Sequence, residues 1–90
     1  PVVFTRLRHL NLARTQLTDV GAVLLARSGL TQTLRFLDLT GNRVTGHGAV
    51  PLAAALAEGP LTELRLSAGP LGWSGRRRVR DVLGDRVRLV

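Results

Sequence analysis

The stretch LRFLDLTGNRVTGHG at residues 34–48 decides the fold, because its pattern recurs on both sides at one fixed spacing. The segment LRHLNLARTQLTDVG (7–21) lies 27 residues earlier, and LTELRLSAGPLGWSG (61–75) lies 27 residues later. A leucine stands at the first, fourth and sixth places of all three segments, and a glycine at the fifteenth. A repeat period of this length is typical of solenoids, in which each repeat packs only on its neighbours.

The third to sixth places of each segment predict a β-strand. Leucines alternate with polar residues there, as in HLNL at 9–12, and alternation with period two puts the leucines on one face. A stretch with helical spacing follows each strand, so every repeat is one strand–turn–helix coil. Because helices are about 10 Å across and strands about 4.8 Å apart, the coils should stack in a curve, with a parallel sheet inside and helices outside.

The three helical stretches have different start signals. The first is expected to begin at Asp19. The second should begin near His47 or Gly48, because Pro51 is tolerated only in a first turn. Ser74 is the expected N-cap of the third. Three apolar residues of the third helix are expected to face the core, namely Val79, Val82 and Leu83.

The pattern L-x-x-L-x-L-x-x-N-x-L, followed by T-x-x-G and a helix rich in leucine and alanine, resembles a leucine-rich repeat. The repeat length and the helices are similar to those of the ribonuclease-inhibitor-like subclass, and residues 75–90 resemble the closing segment of bacterial proteins of this type. The resemblance implies an α/β horseshoe segment of about three repeats plus a terminal strand. In such folds the asparagine at place nine bonds neighbouring turns. This sequence keeps it as Asn42 only, with Thr15 and Gly69 in the other repeats.

The chain is expected to form one repeat domain over residues 1–90. Its expected parts are the tail of a preceding repeat at 1–6, repeats at 7–33, 34–60 and 61–85, and a closing strand at 86–90. Val2, Val3 and Phe4 are expected to cover the first turn. We expect the natural chain to continue upstream, because an uncovered N-terminal edge exposes strand hydrogen-bonding groups and favours self-association.

Composition limits the classes of function. The chain has no cysteine, so neither a disulfide nor a thiolate metal site can form. No apolar run approaches the roughly 18 residues needed to span a bilayer, and no signal peptide is visible, so we expect a cytoplasmic protein without membrane contacts. The 13 basic residues, all arginine, outnumber 6 acidic residues and give a net charge of +7. Such a charge favours an anionic partner, or simply keeps the surface soluble.

Polar residues of the strands are expected to project from the concave face in rows. Same-face neighbours on adjacent strands lie about 5 Å apart, so two ion pairs are predicted, Glu63 with Arg86 and Asp38 with Arg65. Phe36 is the expected anchor for a protein partner, because aromatic residues are enriched at interaction hot spots. The candidate partner-binding residues form one row of His9, Phe36, Glu63 and Arg86 and a second row of Asn11, Asp38, Arg65 and Arg88.

The last helix offers an alternative site. Arg76, Arg77 and Arg80 are candidate anion-binding residues, and with Arg78 they also give the end of a solenoid a polar face. The four arginines spread over roughly 200° of a helix, and no aromatic residue interleaves with them, so the sequence argues against a nucleic-acid partner. Trp73 is expected to pack across the end of its repeat, with an exposed contact role as the alternative.

The sequence does not indicate an enzyme. His9 is expected on the concave face and His47 at a convex turn, too far apart to share a metal. Motifs for a nucleophilic serine or a phosphate-binding loop are absent. Asp38 and Glu63 lie on adjacent strands, but arginines beside them argue against acid–base catalysis. We therefore expect no catalytic residue, no metal and no cofactor.

These observations favour a protein-interaction module that uses the concave face and forms part of a larger protein. One alternative is a basic module that binds an anionic polymer through the arginines of the last helix. Another is a purely structural solenoid end. The identity of a protein partner cannot be read from the sequence, because leucine-rich repeats share a fold without sharing ligands.

Overall fold

A computed structural model describes residues 6–90, in which four parallel strands pair in the order of the sequence. The strands are β1 (His9–Asn11), β2 (Phe36–Asp38), β3 (Glu63–Leu66) and β4 (Val87–Leu89). The helices are α1 (Asp19–Ala26), α2 (Gly46–Ala57) and α3 (Ala68–Leu83), with short 3-10 turns at Gly29–Gln32 and Gly84–Arg86. The fold is the predicted α/β leucine-rich-repeat solenoid segment.

The strand register follows the repeat offset of the sequence. Leu10, Leu37 and Leu64 are partners across β1, β2 and β3, and Val87 continues their row in β4. The repeating leucines of the second and third repeats are fully buried, namely Leu34, Leu37, Leu39, Leu61, Leu64 and Leu66. Those of the first repeat are only half-buried, because no described residue forms a preceding repeat against them. The core is therefore aliphatic and lies between the sheet and the helices.

The first two helices begin close to the predicted residues. α1 begins at Asp19, and α2 begins at Gly46, where the hydroxyl of Thr45 accepts a hydrogen bond from the N–H of His47 at 3.2 Å. Pro51 was predicted to lie in the first turn of α2, but it lies in the second. Its missing N–H is tolerated because Pro51 and His47 are both exposed, so water can reach the unpaired carbonyl.

The third helix begins differently from the prediction. α3 is interrupted at Gly72, where φ is 68° and ψ is −177°, a left-handed conformation that favours glycine. In the repeat alignment Gly72 takes the place of Thr18 and Thr45, the residues that precede the other two helices. The prediction of Ser74 as the N-cap is therefore wrong, because Ser74 lies inside the helical segment that follows Gly72.

The inward face of α3 is narrower than predicted. Val79 and Leu83 are buried in the core as predicted, but Val82 is 37% exposed. Val82 precedes Leu83 by one residue, about 100° around the helix, and so lies at the edge of the buried stripe. Two apolar residues of α1, Val20 and Leu24, are also exposed and lie one turn apart on its outer side.

A buried asparagine connects the first two repeats. Asn42 is 5% exposed, and its side-chain oxygen accepts hydrogen bonds from the N–H groups of Thr15 and Leu17 at 3.0 and 2.9 Å. Its side-chain nitrogen donates to the carbonyl of Leu12 at 2.9 Å. This contact set is the ladder role that the resemblance implied for Asn42, and it satisfies backbone groups that no strand partner reaches.

The ladder changes where asparagine is replaced. The hydroxyl of Thr15 donates to the carbonyl of Leu12 at 2.8 Å, within its own turn. At the junction of the second and third repeats, where Gly69 stands in the place of asparagine, the hydroxyl of Ser67 accepts a hydrogen bond from the N–H of Gly41 at 2.7 Å. A different side chain at a different place thus joins these repeats, and the ladder is irregular.

Two predictions are left, one on the N-terminal residues and one on membrane-spanning helices. The covering role predicted for Val2, Val3 and Phe4, and most of the expected repeat tail at 1–6, lie outside the described residues. Within residues 6–90, none of the helices has the length and apolar character needed to cross a membrane.

Candidate interaction surface on the concave face

The strands carry two rows of polar side chains on the concave face, in the predicted register. The first row joins His9, Phe36 and Glu63 across β1, β2 and β3. The second row consists of Asn11, Asp38, Arg65 and Arg88. All seven residues are exposed or half-buried, whereas the residues between them point into the core.

Arg86 lies outside the rows, contrary to the prediction. It belongs to the 3-10 turn that precedes β4, and its Nη1 donates to the carbonyl of Leu61 at 3.5 Å. The predicted ion pair between Arg86 and Glu63 does not form. The reason is that β4 begins only at Val87, so the chain is still turning at residue 86.

Three planar side chains form a stack at the centre of the face. The rings of His9 and Phe36 stack with their centroids 4.3 Å apart and their planes at 26°. The guanidinium carbon of Arg65 lies 5.1 Å from the centroid of the Phe36 ring, within the range of a cation–π contact. This stack follows from the fold, because side chains on neighbouring strands are held close to the stacking distance of aromatic rings.

Glu63 fixes the position of Arg65. The Nε of Arg65 donates to Oε2 of Glu63 at 2.5 Å, and the two residues lie on the same face of one strand. The Nε of Arg88 lies 4.0 Å from the other carboxylate oxygen. The Arg65 and Glu63 side chains are 42% and 27% exposed, so the pair contributes only about 0–1 kcal/mol to stability. Its consequence is geometric, since it orients the guanidinium over Phe36.

Asp38 and Asn11 bond the turns that follow their own strands. Oδ1 of Asp38 accepts hydrogen bonds from the N–H of Thr40 at 3.0 Å and from its hydroxyl at 2.7 Å. The side-chain oxygen of Asn11 accepts one from the N–H of Ala13 at 2.9 Å. These contacts are Asx turns. The predicted pair between Asp38 and Arg65 does not form, since Asp38 is bonded to Thr40 and Arg65 is bonded to Glu63.

The last helix places its aromatic residue in solvent. Trp73 is 88% exposed, so the expectation that it packs across the end of its repeat is wrong. Arg77 and Arg80 are also exposed, and Arg76 is half-buried with its Nε donating to the carbonyl of Ala68 at 3.0 Å. The exposure agrees with the alternative expectation for Trp73. The repeat alignment could not favour that alternative, because Asp19 and Gly46 take the equivalent positions and neither is aromatic.

Comparison with known proteins agrees with this architecture. The family described as Leucine Rich repeat matches residues 5–26 and 32–53, which overlap the first two repeats. No curated protein and no solved structure gives a match. The two family matches support a leucine-rich repeat protein, and the repeats of this class generally act as protein-interaction modules.

Proposed function

We propose that this chain is a protein-interaction module whose concave face receives a partner protein, with Phe36 as the anchor. One observation carries the proposal: the half-buried Phe36 ring is held between His9 and Arg65 on the solvent side of the sheet. A ring fixed from both sides loses little conformational freedom on binding, which favours affinity. Aromatic and arginine side chains are also the residue types that dominate interaction energies.

The surroundings of Phe36 fit a contact surface. A planar, weakly polar centre is bordered by charged groups, with Glu63 on one side and Arg88 beyond it. Interfaces have this organisation, in which a desolvated centre is enclosed by a polar rim. The hydrogen bonds that Asp38 accepts from Thr40 keep that rim in one shape before a partner arrives.

Site-specific photo-crosslinking tests the proposal. A benzoylphenylalanine at position 36 would be compared with the same group at position 54, an exposed alanine on the convex side of α2. The proposal predicts that one protein from the native host is crosslinked through position 36 and not through position 54. Equal crosslinking at both positions, or crosslinking through position 54 alone, would exclude the concave face as the binding surface.

The finer features of the resemblance are part of the same proposal. A helix in every repeat, α1 to α3, supports the ribonuclease-inhibitor-like subclass. A bacterial source, a cytoplasmic location, a role within a larger protein and the lack of enzymatic activity stay predictions. Self-association through the N-terminal edge also stays a prediction, and light scattering at low and high salt tests it directly.

A further inference from the structure

Trp73 is the most exposed large apolar side chain in the part of the chain that the structure describes. A tryptophan contributes more to stability when it is buried than almost any other residue, so leaving it in water forgoes that gain. Arginines alone would suffice to keep the end of a solenoid polar. The exposed ring therefore needs an explanation that a solubilising cap does not supply.

Trp73 lies on one helical stripe with three of the four arginines. Trp73, Arg76, Arg77 and Arg80 have the spacing i, i+3, i+4 and i+7, which places them within about 100° of one another on the helix that follows Gly72. Arg78 lies well outside this stripe. At about 1.5 Å per residue, the stripe extends roughly 10 Å along the helix axis.

The equivalent stripes of the earlier helices are buried packing surfaces. Ala22 of α1 and Ala49 and Ala53 of α2, which take the places of Arg76 and Arg80, are fully buried against neighbouring elements. The stripe on α3 is therefore the face turned toward the C-terminal end of the stack. No residue in 6–90 packs on Trp73, Arg77 or Arg80 closely enough to bury them.

The arginines of the stripe are not neutralised within the described chain. The ion pairs among residues 6–90 involve Arg65 and Arg88, not the arginines of α3. The hydrogen bond from Nε of Arg76 to the Ala68 carbonyl carries no counter-charge. Asp81 is the one acidic residue of α3, against four arginines. The stripe is thus a cationic surface with an aromatic ring at one end.

We infer that the end face formed by Trp73, Arg76, Arg77 and Arg80 binds single-stranded nucleic acid. An unpaired base stacks on the Trp73 ring, and the arginines contact phosphates over the next two helical turns. A duplex does not fit, because its bases are already stacked. The Asp and Glu side chains of an acidic peptide would pair with the arginines but have no ring to stack on Trp73. Trp73 precedes the arginines in the sequence rather than interleaving with them, and the helix brings its position into their stripe.

This inference is independent of the proposed function, because the end face and the concave face share no residue. The chain has one tryptophan, so its fluorescence reports on the end face alone. Titration with an unlabelled oligo(dT) of about twelve nucleotides should quench that fluorescence. Three phosphate contacts predict that the logarithm of the binding constant falls with the logarithm of salt concentration with a slope of about −2.

Two pairs of variants separate stacking and placed charges from general attraction. Arg77→Glu and Arg78→Glu make the same charge change on adjacent exposed residues, one inside the stripe and one outside it. Anisotropy of a fluorescein-labelled oligo(dT) should show a far larger loss of affinity for Arg77→Glu. Trp73→Ala should weaken binding about 5- to 150-fold, whereas Trp73→Phe should keep much of the affinity. Far-ultraviolet circular dichroism checks that each variant remains folded.

Several outcomes would overturn the inference. Equal losses for Arg77→Glu and Arg78→Glu would mean non-specific attraction to a basic protein. Unchanged affinity of folded Trp73→Ala would exclude base stacking. If the oligonucleotide does not quench Trp73 but poly-glutamate or phosphatidylglycerol vesicles do, the end face binds an acidic protein or an anionic membrane instead.

Discussion

The guanidinium of Arg65 covers the Phe36 ring, with its central carbon 5.1 Å from the ring centroid, and Glu63 holds it there. This contact replaces the predicted pair between Arg65 and Asp38, whose carboxylate is bound to Thr40. The concave face therefore has a fixed planar centre, and the ion pair of Arg65 with Glu63 lies beside it. A fixed centre of this kind is suited to binding and adds little to folding.

Phe36→Ala should destabilise the protein by only about 1 kcal/mol, because the ring is half-buried and its contacts lie on the solvent side of the sheet. Leu37→Ala is the matched control, since Leu37 is the next residue and is fully buried in the core. Its loss should cost about 2–5 kcal/mol. Urea unfolding of both variants measures the difference. Similar large losses would mean that Phe36 is a core residue.

Asn42→Ala should lower the free energy of unfolding by about 2–4 kcal/mol, because it leaves the N–H groups of Thr15 and Leu17 without their acceptor. Asn11→Ala removes the same side chain from the exposed end of β1, where it accepts one hydrogen bond from Ala13. That control should lose less than about 1 kcal/mol. Equal losses in thermal or urea unfolding would show that Asn42 does not connect the repeats.

Gly48→Ala should destabilise the protein by about 1–3 kcal/mol, because a methyl group there would lie 2.8 Å from the Cα of Asp19 in the adjacent helix. Gly69→Ala is the matched control, since a methyl group at that helical position meets no atom within 4 Å. It should leave stability unchanged or raise it by up to about 1 kcal/mol. A neutral Gly48→Ala in differential scanning calorimetry would contradict the close approach of α1 and α2.

The strand register and the two concave rows could be predicted because they depend only on the repeat. Leucines that recur at one offset must stack in one layer, and the residues between them then stack in another. Asn42 was also predictable, through the resemblance, because its hydrogen bonds reach backbone groups whose positions the repeat fixes.

The ion pairs of the concave face were not predictable from spacing. Arg65 can reach the carboxylate of Glu63 on its own strand as easily as the carboxylate of Asp38 on β2. Asp38 accepts hydrogen bonds from the hydroxyl and N–H of Thr40, two residues away in its own turn. Local hydrogen bonds of this kind cost less chain entropy than contacts between strands. The repeat pattern also could not decide between the two expectations for Trp73, because its exposure depends on what packs beyond α3, which the pattern does not specify.

Isothermal titration calorimetry tests the role of the concave face most directly. The purified chain is titrated with the free protein that photo-crosslinking at position 36 has identified. Phe36→Ala should weaken binding by about 30-fold or more, as expected for a hot-spot aromatic, and Arg65→Ala should weaken it less. His47→Ala, an exposed change on the convex side, should leave the affinity unchanged. An affinity for folded Phe36→Ala within about twofold of the unmodified chain would contradict the concave face as the binding surface.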